Sequence, residues 1–156
     1  MRELILVRHA EAMQSAPDGS DRERPLSLRG ETEAVAAGRW LLDHGAHPAH
    51  VLCSPARRAQ MTAERLLATL GPLRPRYEPA IYDATPGELL ALLDALPEAP
   101  QTLLIGHNPG LERLVALLVS GRSVDYRGMP PAAVAWIQVD GALEPGTGRL
   151  HRFWSP

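Results

Sequence analysis

The sequence has little cysteine, no long hydrophobic run and no excess of basic residues. Its single cysteine, Cys53, excludes an internal disulfide framework and fits a reducing compartment. No apolar run approaches the ~20 residues of a transmembrane helix. The short apolar run that follows Glu3 is too brief for the hydrophobic region of a signal peptide. We therefore expect a cytoplasmic protein that has no membrane partner.

Basic residues do not outnumber acidic ones, since 16 Lys and Arg stand against 18 Asp and Glu and the formal net charge is −2. This balance lacks the basic footprint of nucleic-acid-binding proteins, so no nucleic-acid partner is expected. The length of 156 residues, 45% of them hydrophobic, suits one globular domain over residues 1–156. Composition thus indicates a globular domain, whereas local sequence patterns carry the information about function.

The first such pattern is an aliphatic run, Leu4 to Val7, that leads directly into Arg8 and His9. An apolar run of strand length is typical of the middle of a parallel sheet that is covered on both faces. The carboxyl ends of such strands open into the crevice where α/β proteins bind ligands. The pattern therefore predicts an anion-binding group, Arg8, beside a nucleophile or base, His9.

Two later segments repeat the order of apolar strand, polar junction and helix. Strand 50–53 leads into Ser54 and the arginines at 57 and 58, and strand 102–106 leads into His107 and Asn108. If the three strands are parallel neighbours, the three junctions lie at one edge of the sheet. Because arginine forks and helix N-termini bind anions, the predicted ligand is a dianion such as phosphate.

The remaining pattern predicts an α/β fold. Alternating strands and helices indicate three α/β/α layers around a mostly parallel sheet, with an antiparallel hairpin at one edge. The predicted helices cover residues 28–44, 56–70, 87–96 and 111–119, and the further strands cover residues 76–78, 133–139 and 149–154. We expect Ser54 to cap the second helix, and Leu28 and Val35 to face the core from the first.

Other interpretations compete with a catalytic one. A histidine at a strand end more often caps or packs than reacts, but two at similar junctions, with Arg8 beside His9, favour a functional site. A divalent metal ion would be repelled by each nearby arginine, and no paired carboxylates with ligand spacing occur nearby. We therefore expect neither a metal nor another cofactor. Cys53, inside a buried strand, is interpreted as an inert core thiol.

Three motifs, in order along the chain, resemble those of the histidine phosphatase (phosphoglycerate mutase-like) superfamily. The first is Leu6-Val7-Arg8-His9-Ala10-Glu11-Ala12, with Ala10 where the signature usually has glycine. The second is Ser54-Pro55-Ala56-Arg57-Arg58-Ala59-Gln60-Met61-Thr62-Ala63, which favours Arg58 over Arg57, and the third is Gly106-His107-Asn108-Pro109-Gly110. The segment Arg24-Pro25-Leu26-Ser27 and the short chain are most similar to small SixA-type phosphohistidine phosphatases.

This resemblance implies a phosphoglycerate mutase-like fold in which His9 is the nucleophile and is transiently phosphorylated. Arg8, Arg58 and His107 would hold the phosphoryl oxygens, and Arg24 and Asn108 would take part in substrate binding. The methyl group of Ala10 is expected to tighten the phosphate pocket. Many superfamily members also use an acidic residue to protonate the leaving group, and Asp83 and Glu78 are the candidates here.

The expected substrate is phosphohistidine in a signalling protein. An imidazole leaving group needs less help from an acid than an alkoxide does, and the chain has no insertion long enough for a lid. A small phosphate monoester is the alternative substrate. A non-catalytic module that binds a phosphorylated ligand is a further alternative, and the short chain makes a mutase less favoured.

Overall fold

The computed structural model describes residues 1–156 and contains six β-strands and four α-helices. The elements in chain order are β1 (Arg2–Arg8), α1 (Leu28–Asp43), β2 (His50–Cys53), α2 (Arg57–Leu70), β3 (Arg76–Tyr77), α3 (Pro86–Asp94), β4 (Gln101–Gly106), α4 (Gly110–Ser120), β5 (Val134–Val139) and β6 (Gly148–Trp154), with a short 3-10 helix at Pro79–Ile81. None of the helices combines the length and apolarity needed to cross a membrane.

The strands form one sheet in the order β3-β2-β4-β1-β5-β6. The first four strands run parallel to one another, whereas β5 is antiparallel to both β1 and β6. The structure therefore confirms the predicted α/β fold, with its mostly parallel sheet and its antiparallel hairpin at one edge.

Alternate side chains of β1 point into two separate apolar clusters. Leu4 and Leu6 belong to the cluster that contains the buried leucines of α3 and α4. Ile5 and Val7 belong to the cluster formed with α1 and α2. Because both faces of the strand are covered, the core of β1 is a continuous aliphatic run rather than an alternation of apolar and polar residues. Full burial of each such side chain contributes roughly 1.5–3 kcal/mol to stability.

The register of the sheet brings the three polar junctions together. Arg8, the last residue of β1, lies opposite Gly106, the last residue of β4. The His9 backbone N–H donates to the Gly106 carbonyl at 3.0 Å, and the Ser54 N–H donates to the Ile105 carbonyl at 3.0 Å. The residues that follow β1, β2 and β4 therefore lie side by side at the carboxyl edge of the sheet.

The start of α2 differs from the sequence prediction. The helix begins at Arg57, and its N-cap residue is Ala56, which has no side chain to accept a hydrogen bond. The predicted cap, Ser54, lies two residues earlier and accepts from the Ala56 N–H at 3.2 Å. The capping prediction was wrong because the helix begins one residue later than expected, and the Ser54 hydroxyl contacts His107 at 2.7 Å instead.

The inward face of α1 also differs from the predicted one. Leu28 is 84% exposed and Val35 is 39% exposed. The buried face consists mostly of small residues, namely Gly30, Ala34, Ala37, Gly38 and Leu41. A Cβ atom at Gly38 would lie 2.5 Å from the Leu66 carbonyl oxygen of α2. Close approach of the two helices, rather than side-chain hydrophobicity, therefore decides which face of α1 is buried.

We predict that Gly38→Ala lowers the free energy of unfolding by roughly 1–3 kcal/mol, because α1 and α2 must separate to admit the methyl group. Gly87→Ala in α3 is the matched control, since a Cβ atom there meets nothing within 4 Å. Its substitution should be neutral or stabilising by up to about 1 kcal/mol. Urea denaturation of both variants measures the difference, and equal effects would contradict close packing at Gly38.

Candidate active site

His9 is 8% exposed and is held by its own neighbour in the chain. Its Nδ1 lies 2.7 Å from the Ala10 carbonyl oxygen. A carbonyl oxygen only accepts, so Nδ1 carries the proton and the neutral ring keeps its lone pair on Nε2. The backbone thus selects the tautomer in which Nε2 is available as a nucleophile.

The environment of His9 favours the neutral imidazole. Burial and, to a smaller extent, the positive charges of Arg58, Arg8 and Arg24 together lower the pKa of His9 to about 4, against the hydrogen bond to Ala10. Both effects disfavour the charged ring. At neutral pH the Nε2 lone pair is therefore free of a proton.

Arg8 is fixed by the segment that precedes β5. One terminal nitrogen, Nη1, donates to the Met129 carbonyl at 2.9 Å, and the same oxygen accepts from Asn108 Nδ2 at 2.9 Å. Arg8 Nε is buried and has no hydrogen-bond partner. The side chain is thus anchored at one end and retains an unused donor.

The structure separates the two adjacent arginines of α2. Arg58 is 7% exposed, whereas Arg57 lies on the surface. Arg58 Nη1 donates to the Asp21 carbonyl oxygen at 2.8 Å, and Nη2 donates to the Asp21 carboxylate at 3.1 Å. Its Nε is buried without a partner.

His107 lies beside His9, with 5.1 Å between the ring centroids. Its Nε2 is 2.7 Å from Ser54 Oγ. Ser54 is fully buried, and its hydroxyl oxygen already accepts from the Ala56 N–H. His107 Nε2 is the only acceptor within reach of the hydroxyl, so the hydroxyl proton goes to that nitrogen, which places the proton of the neutral ring on Nδ1. That Nδ1 is buried and has no partner.

His107, like His9, is kept neutral by its surroundings. Burial and, to a smaller extent, His9, Arg58 and Arg8 together lower the pKa of His107 to about 3, whereas Asp21 acts in the opposite direction. A neutral ring with Nδ1–H is a hydrogen-bond donor that carries no formal charge.

Four of the buried polar groups without a partner belong to residues that lie near His9. They are the Nε groups of Arg8, Arg24 and Arg58 and the Nδ1 of His107. Buried donors without partners are uncommon in folded proteins and call for an explanation such as a ligand. Because all four are donors and three are cationic, the site is suited to a compact anion with several acceptor oxygens, such as a phosphoryl group.

The other residues singled out in the sequence take different positions. Arg24 is beside the loop carboxylate, with its Nη1 3.5 Å from Asp21 Oδ1. Asp83 and Asn108 line a cleft of about 240 Å³ next to His107. Glu78 contacts Arg76 at 2.9 Å and is not among the residues that line this cleft.

The functional groups of Asn108 are engaged within the protein. Its Oδ1 accepts from the Glu112 N–H at 3.3 Å, near the start of α4, and its Nδ2 donates to Met129. Asn108 therefore hydrogen-bonds to the first turn of α4 and braces the carbonyl that accepts from Arg8. No three His, Cys, Asp or Glu side chains are grouped closely enough to hold a metal ion.

The expectation for Ala10 was wrong. Its side chain is fully buried and packs with Leu26, Ala34 and Ala132 in a small apolar cluster. The methyl group thus contributes to the core beneath the site rather than narrowing the phosphate pocket. Cys53 is also buried, and burial raises the pKa of its thiol well above the usual value, as an inert core cysteine requires.

Two residues near Arg58 were missed at the sequence level. Asp21, in the loop between β1 and α1, binds Arg58 through both its backbone and its side chain. The Tyr82 hydroxyl donates to the same Asp21 carboxylate, and the Tyr82 ring meets His107 edge-on at 5.5 Å. No local sequence pattern links these residues, since Asp21 and Tyr82 are 61 positions apart.

Comparison with known proteins agrees with this geometry. Residues 4–110 match the histidine phosphatase superfamily (branch 1). The phosphohistidine phosphatase SixA of Escherichia coli (strain K12) is 30% identical over 99% of this chain and 94% of that protein. The uncharacterized protein MT1313 of Mycobacterium tuberculosis is 34% identical over 96% of this chain and 99% of that protein. The structure of the protein histidine phosphatase SixA complexed with tungstate has a TM-score of 0.84 and 29% identity, and covers 98% of this chain and 96% of that chain.

The chain belongs to the histidine phosphatase superfamily, and it is similar to the SixA-type members of that family. It is a phosphatase, and therefore a hydrolase. The resemblance carried by the three sequence motifs is confirmed.

The lowered pKa of His9 predicts a specific loss of stability in mild acid. The unfolded chain binds a proton at this histidine near pH 6.5, but the folded chain does so only near pH 4. Between these values the unfolded state binds more protons, so the free energy of unfolding falls as the pH falls. We expect His9→Gln to remove about 2 kcal/mol of the loss between pH 7 and pH 5. Urea denaturation at both pH values tests this, and an equal loss of stability in His9→Gln and the wild type would contradict it.

Proposed function

We propose that this phosphatase acts through a covalent intermediate on His9 and removes the phosphoryl group from phosphohistidine in a protein. The observation that carries the proposal is the buried His9 with its Nε2 lone pair free, near four residues that have unpaired donors. Phosphoryl transfer depends mainly on positioning and charge stabilisation, which arginine and histidine side chains supply without a metal ion.

In the first step His9 Nε2 attacks phosphorus, and the bond from phosphorus to the substrate imidazole breaks. The second nitrogen of that substrate ring carries a proton, so the ring leaves as a neutral imidazole. Arg8 and Arg58 bind the phosphoryl oxygens as negative charge shifts toward the leaving atom, and His107 Nδ1–H donates a neutral hydrogen bond. In the second step water attacks the phosphohistidine, the bond from phosphorus to Nε2 breaks, and the water proton leaves with inorganic phosphate. His9 returns to its neutral state.

The carboxylates near the site favour a leaving group that needs no acid. The Tyr82 hydrogen bond and the Arg58 charge lower the pKa of Asp21, so Asp21 is an anion at neutral pH and holds no proton to donate. Glu78 is in an ion pair with Arg76. An imidazole leaves far more readily than an alkoxide, since its conjugate acid has a pKa of about 6.5. Similarity to the SixA phosphohistidine phosphatases supports the same substrate class.

A small phosphate monoester is the second candidate, and one observation favours it. The cleft beside His107 is lined by Asp83, Thr85 and Arg113, which are polar groups able to bind a polar leaving group. In that case Asp83 is the general acid, and Asp83→Asn should lower turnover of esters while sparing phosphohistidine.

We predict that phosphohistidine on a carrier protein is turned over with a kcat/KM at least about tenfold above that of any ester in a panel of alkyl and aryl phosphates. The reason is that imidazole departs without the help of a carboxylic acid, which an alkoxide needs. The measurement is phosphate release in the presence of excess chelator, which also tests whether the reaction needs a metal. A higher kcat/KM for an alkyl ester than for phosphohistidine would favour the small phosphate monoester as the substrate. Loss of all activity in chelator would contradict the metal-independent mechanism.

A further inference from the structure

We propose that Asp21 is a positioning residue that orients the Arg58 guanidinium toward the phosphoryl group, and that Tyr82 holds Asp21 in place. The proposal rests on the phosphate-binding role of Arg58 proposed above. It assigns a task to Asp21, a loop residue that lies outside all of the sequence motifs.

The contacts between Asp21 and Arg58 are directional. The Asp21 carbonyl oxygen accepts from Nη1 at 2.8 Å, and its carboxylate accepts from Nη2 at 3.1 Å. The backbone and the side chain of one residue thus hold the two terminal nitrogens of the guanidinium. The Arg58 side chain is only 9% exposed, whereas the Asp21 side chain is 56% exposed, so the loop reaches the arginine from the solvent side.

The planar shape of the guanidinium determines which N–H donors of Arg58 remain free when Asp21 is bound. A guanidinium has five N–H donors in a fixed fork, and adjacent donors bind two oxygens of one anion. With Asp21 engaging the terminal nitrogens, Arg58 Nε remains buried without a partner. The edge formed by Nε and the second N–H of Nη2 is therefore the edge left for two phosphoryl oxygens. Without the hydrogen bonds to Asp21, the arginine would sample more rotamers and lose that orientation.

Tyr82 determines where the Asp21 carboxylate lies. Its hydroxyl donates to the same carboxylate oxygen that accepts from Arg58. The guanidinium carbon atoms of Arg22 and Arg58 lie 5.6 Å and 5.9 Å from the Tyr82 ring centroid. The Tyr82 ring also meets the His107 ring edge-on, so Tyr82 connects Asp21 to the second histidine of the site.

A different role for the same contacts would be competition, in which the Asp21 carboxylate occupies Arg58 in place of the phosphoryl group. The two roles have opposite consequences. If Asp21 positions Arg58, its removal weakens phosphate binding and slows turnover. If Asp21 competes, its removal strengthens phosphate binding.

The test compares Asp21→Ala and Asp21→Asn with the full-length wild type, by kcat, KM and the inhibition constant of inorganic phosphate. We expect Asp21→Ala to lower kcat/KM by roughly 10- to 100-fold and to weaken phosphate inhibition, because small misplacements of a catalytic contact have effects of this size. Asp21→Asn keeps an acceptor oxygen and should recover most of the loss. Tyr82→Phe should cause a smaller loss in the same direction. Asp18→Ala, in the same loop and hydrogen-bonded only to Ser20, should match the wild type.

A double-mutant cycle shows whether Asp21 acts through Arg58. In an Arg58→Ala background, Asp21→Ala should change kcat/KM by less than about twofold, since the partner is already absent. A full Asp21 effect in that background, or tighter binding of inorganic phosphate to Asp21→Ala, would overturn the proposal. Wild-type activity of Arg58→Ala would instead overturn the proposed site, whereas an inactive Arg58→Ala together with a fully active Asp21→Ala and Asp21→Asn would overturn the positioning role alone.

Discussion

Replacement of His9 by alanine should lower kcat by about 10⁴-fold or more, because no other nucleophile is available and the covalent route is lost. The same variant should fail to accumulate the phosphoenzyme. In the wild type, rapid mixing with a labelled phosphohistidine protein and quenching in alkali should trap phosphate that is stable to base and labile to acid, as expected of a bond from phosphorus to an imidazole nitrogen.

His44→Ala is the control for this experiment, since His44 is an exposed histidine at the far end of α1. It should show normal turnover and normal trapping. Retained turnover in His9→Ala would exclude the covalent mechanism. Trapped phosphate at another residue would move the nucleophile elsewhere and leave the family assignment intact.

The second large effect is expected at His107. His107→Ala removes a preorganised donor from the phosphoryl group and should lower kcat by about 10²- to 10³-fold. The phosphoenzyme should still form, more slowly, because the nucleophile and both arginines remain. Single-turnover measurement of phosphoenzyme formation and decay separates this result from loss of the nucleophile.

Ser54→Ala tests the reason for that effect. The Ser54 hydroxyl is what places the His107 proton on Nδ1, so its removal should allow the other tautomer and lower kcat by about tenfold with little change in KM. Ser54→Thr keeps the hydroxyl and should retain more activity than Ser54→Ala. Nitrogen NMR of the histidine ring reports the tautomer directly, and an unchanged Nδ1–H form in Ser54→Ala would contradict this assignment.

The features that could be predicted from sequence are those set by local chain patterns. A run such as Leu4 to Val7 has one main interpretation, a strand buried on both faces, and the polar residues at its end follow from the chemistry of α/β sheets. The parallel arrangement of β1, β2 and β4 then determines that His9, Ser54 and His107 meet. The three motifs and their order along the chain indicated the histidine phosphatase superfamily.

The features that could not be predicted depend on contacts between distant parts of the chain. The buried face of α1 consists of small residues because α2 approaches at Gly38, and hydrophobicity alone pointed to Leu28 and Val35. Ser54 was predicted to cap α2, and its actual contact with His107 could not be predicted because the two residues meet only in the tertiary structure. Asp21 and Tyr82 belong to loops whose paths no periodic pattern describes.

The position of β1 in the sheet has a consequence for motion. Hydrogen bonds to β4 on one side and to β5 on the other surround the strand that carries the nucleophile, so its amides should exchange with deuterium only when the whole domain unfolds. The loop that carries Asp21 and Arg24 has few backbone hydrogen bonds and should exchange through small local openings. His9, the proposed nucleophile, is therefore attached to the slowest-opening strand of the molecule, whereas Arg24 and the Asp21 groups that hold Arg58 belong to a faster-opening loop.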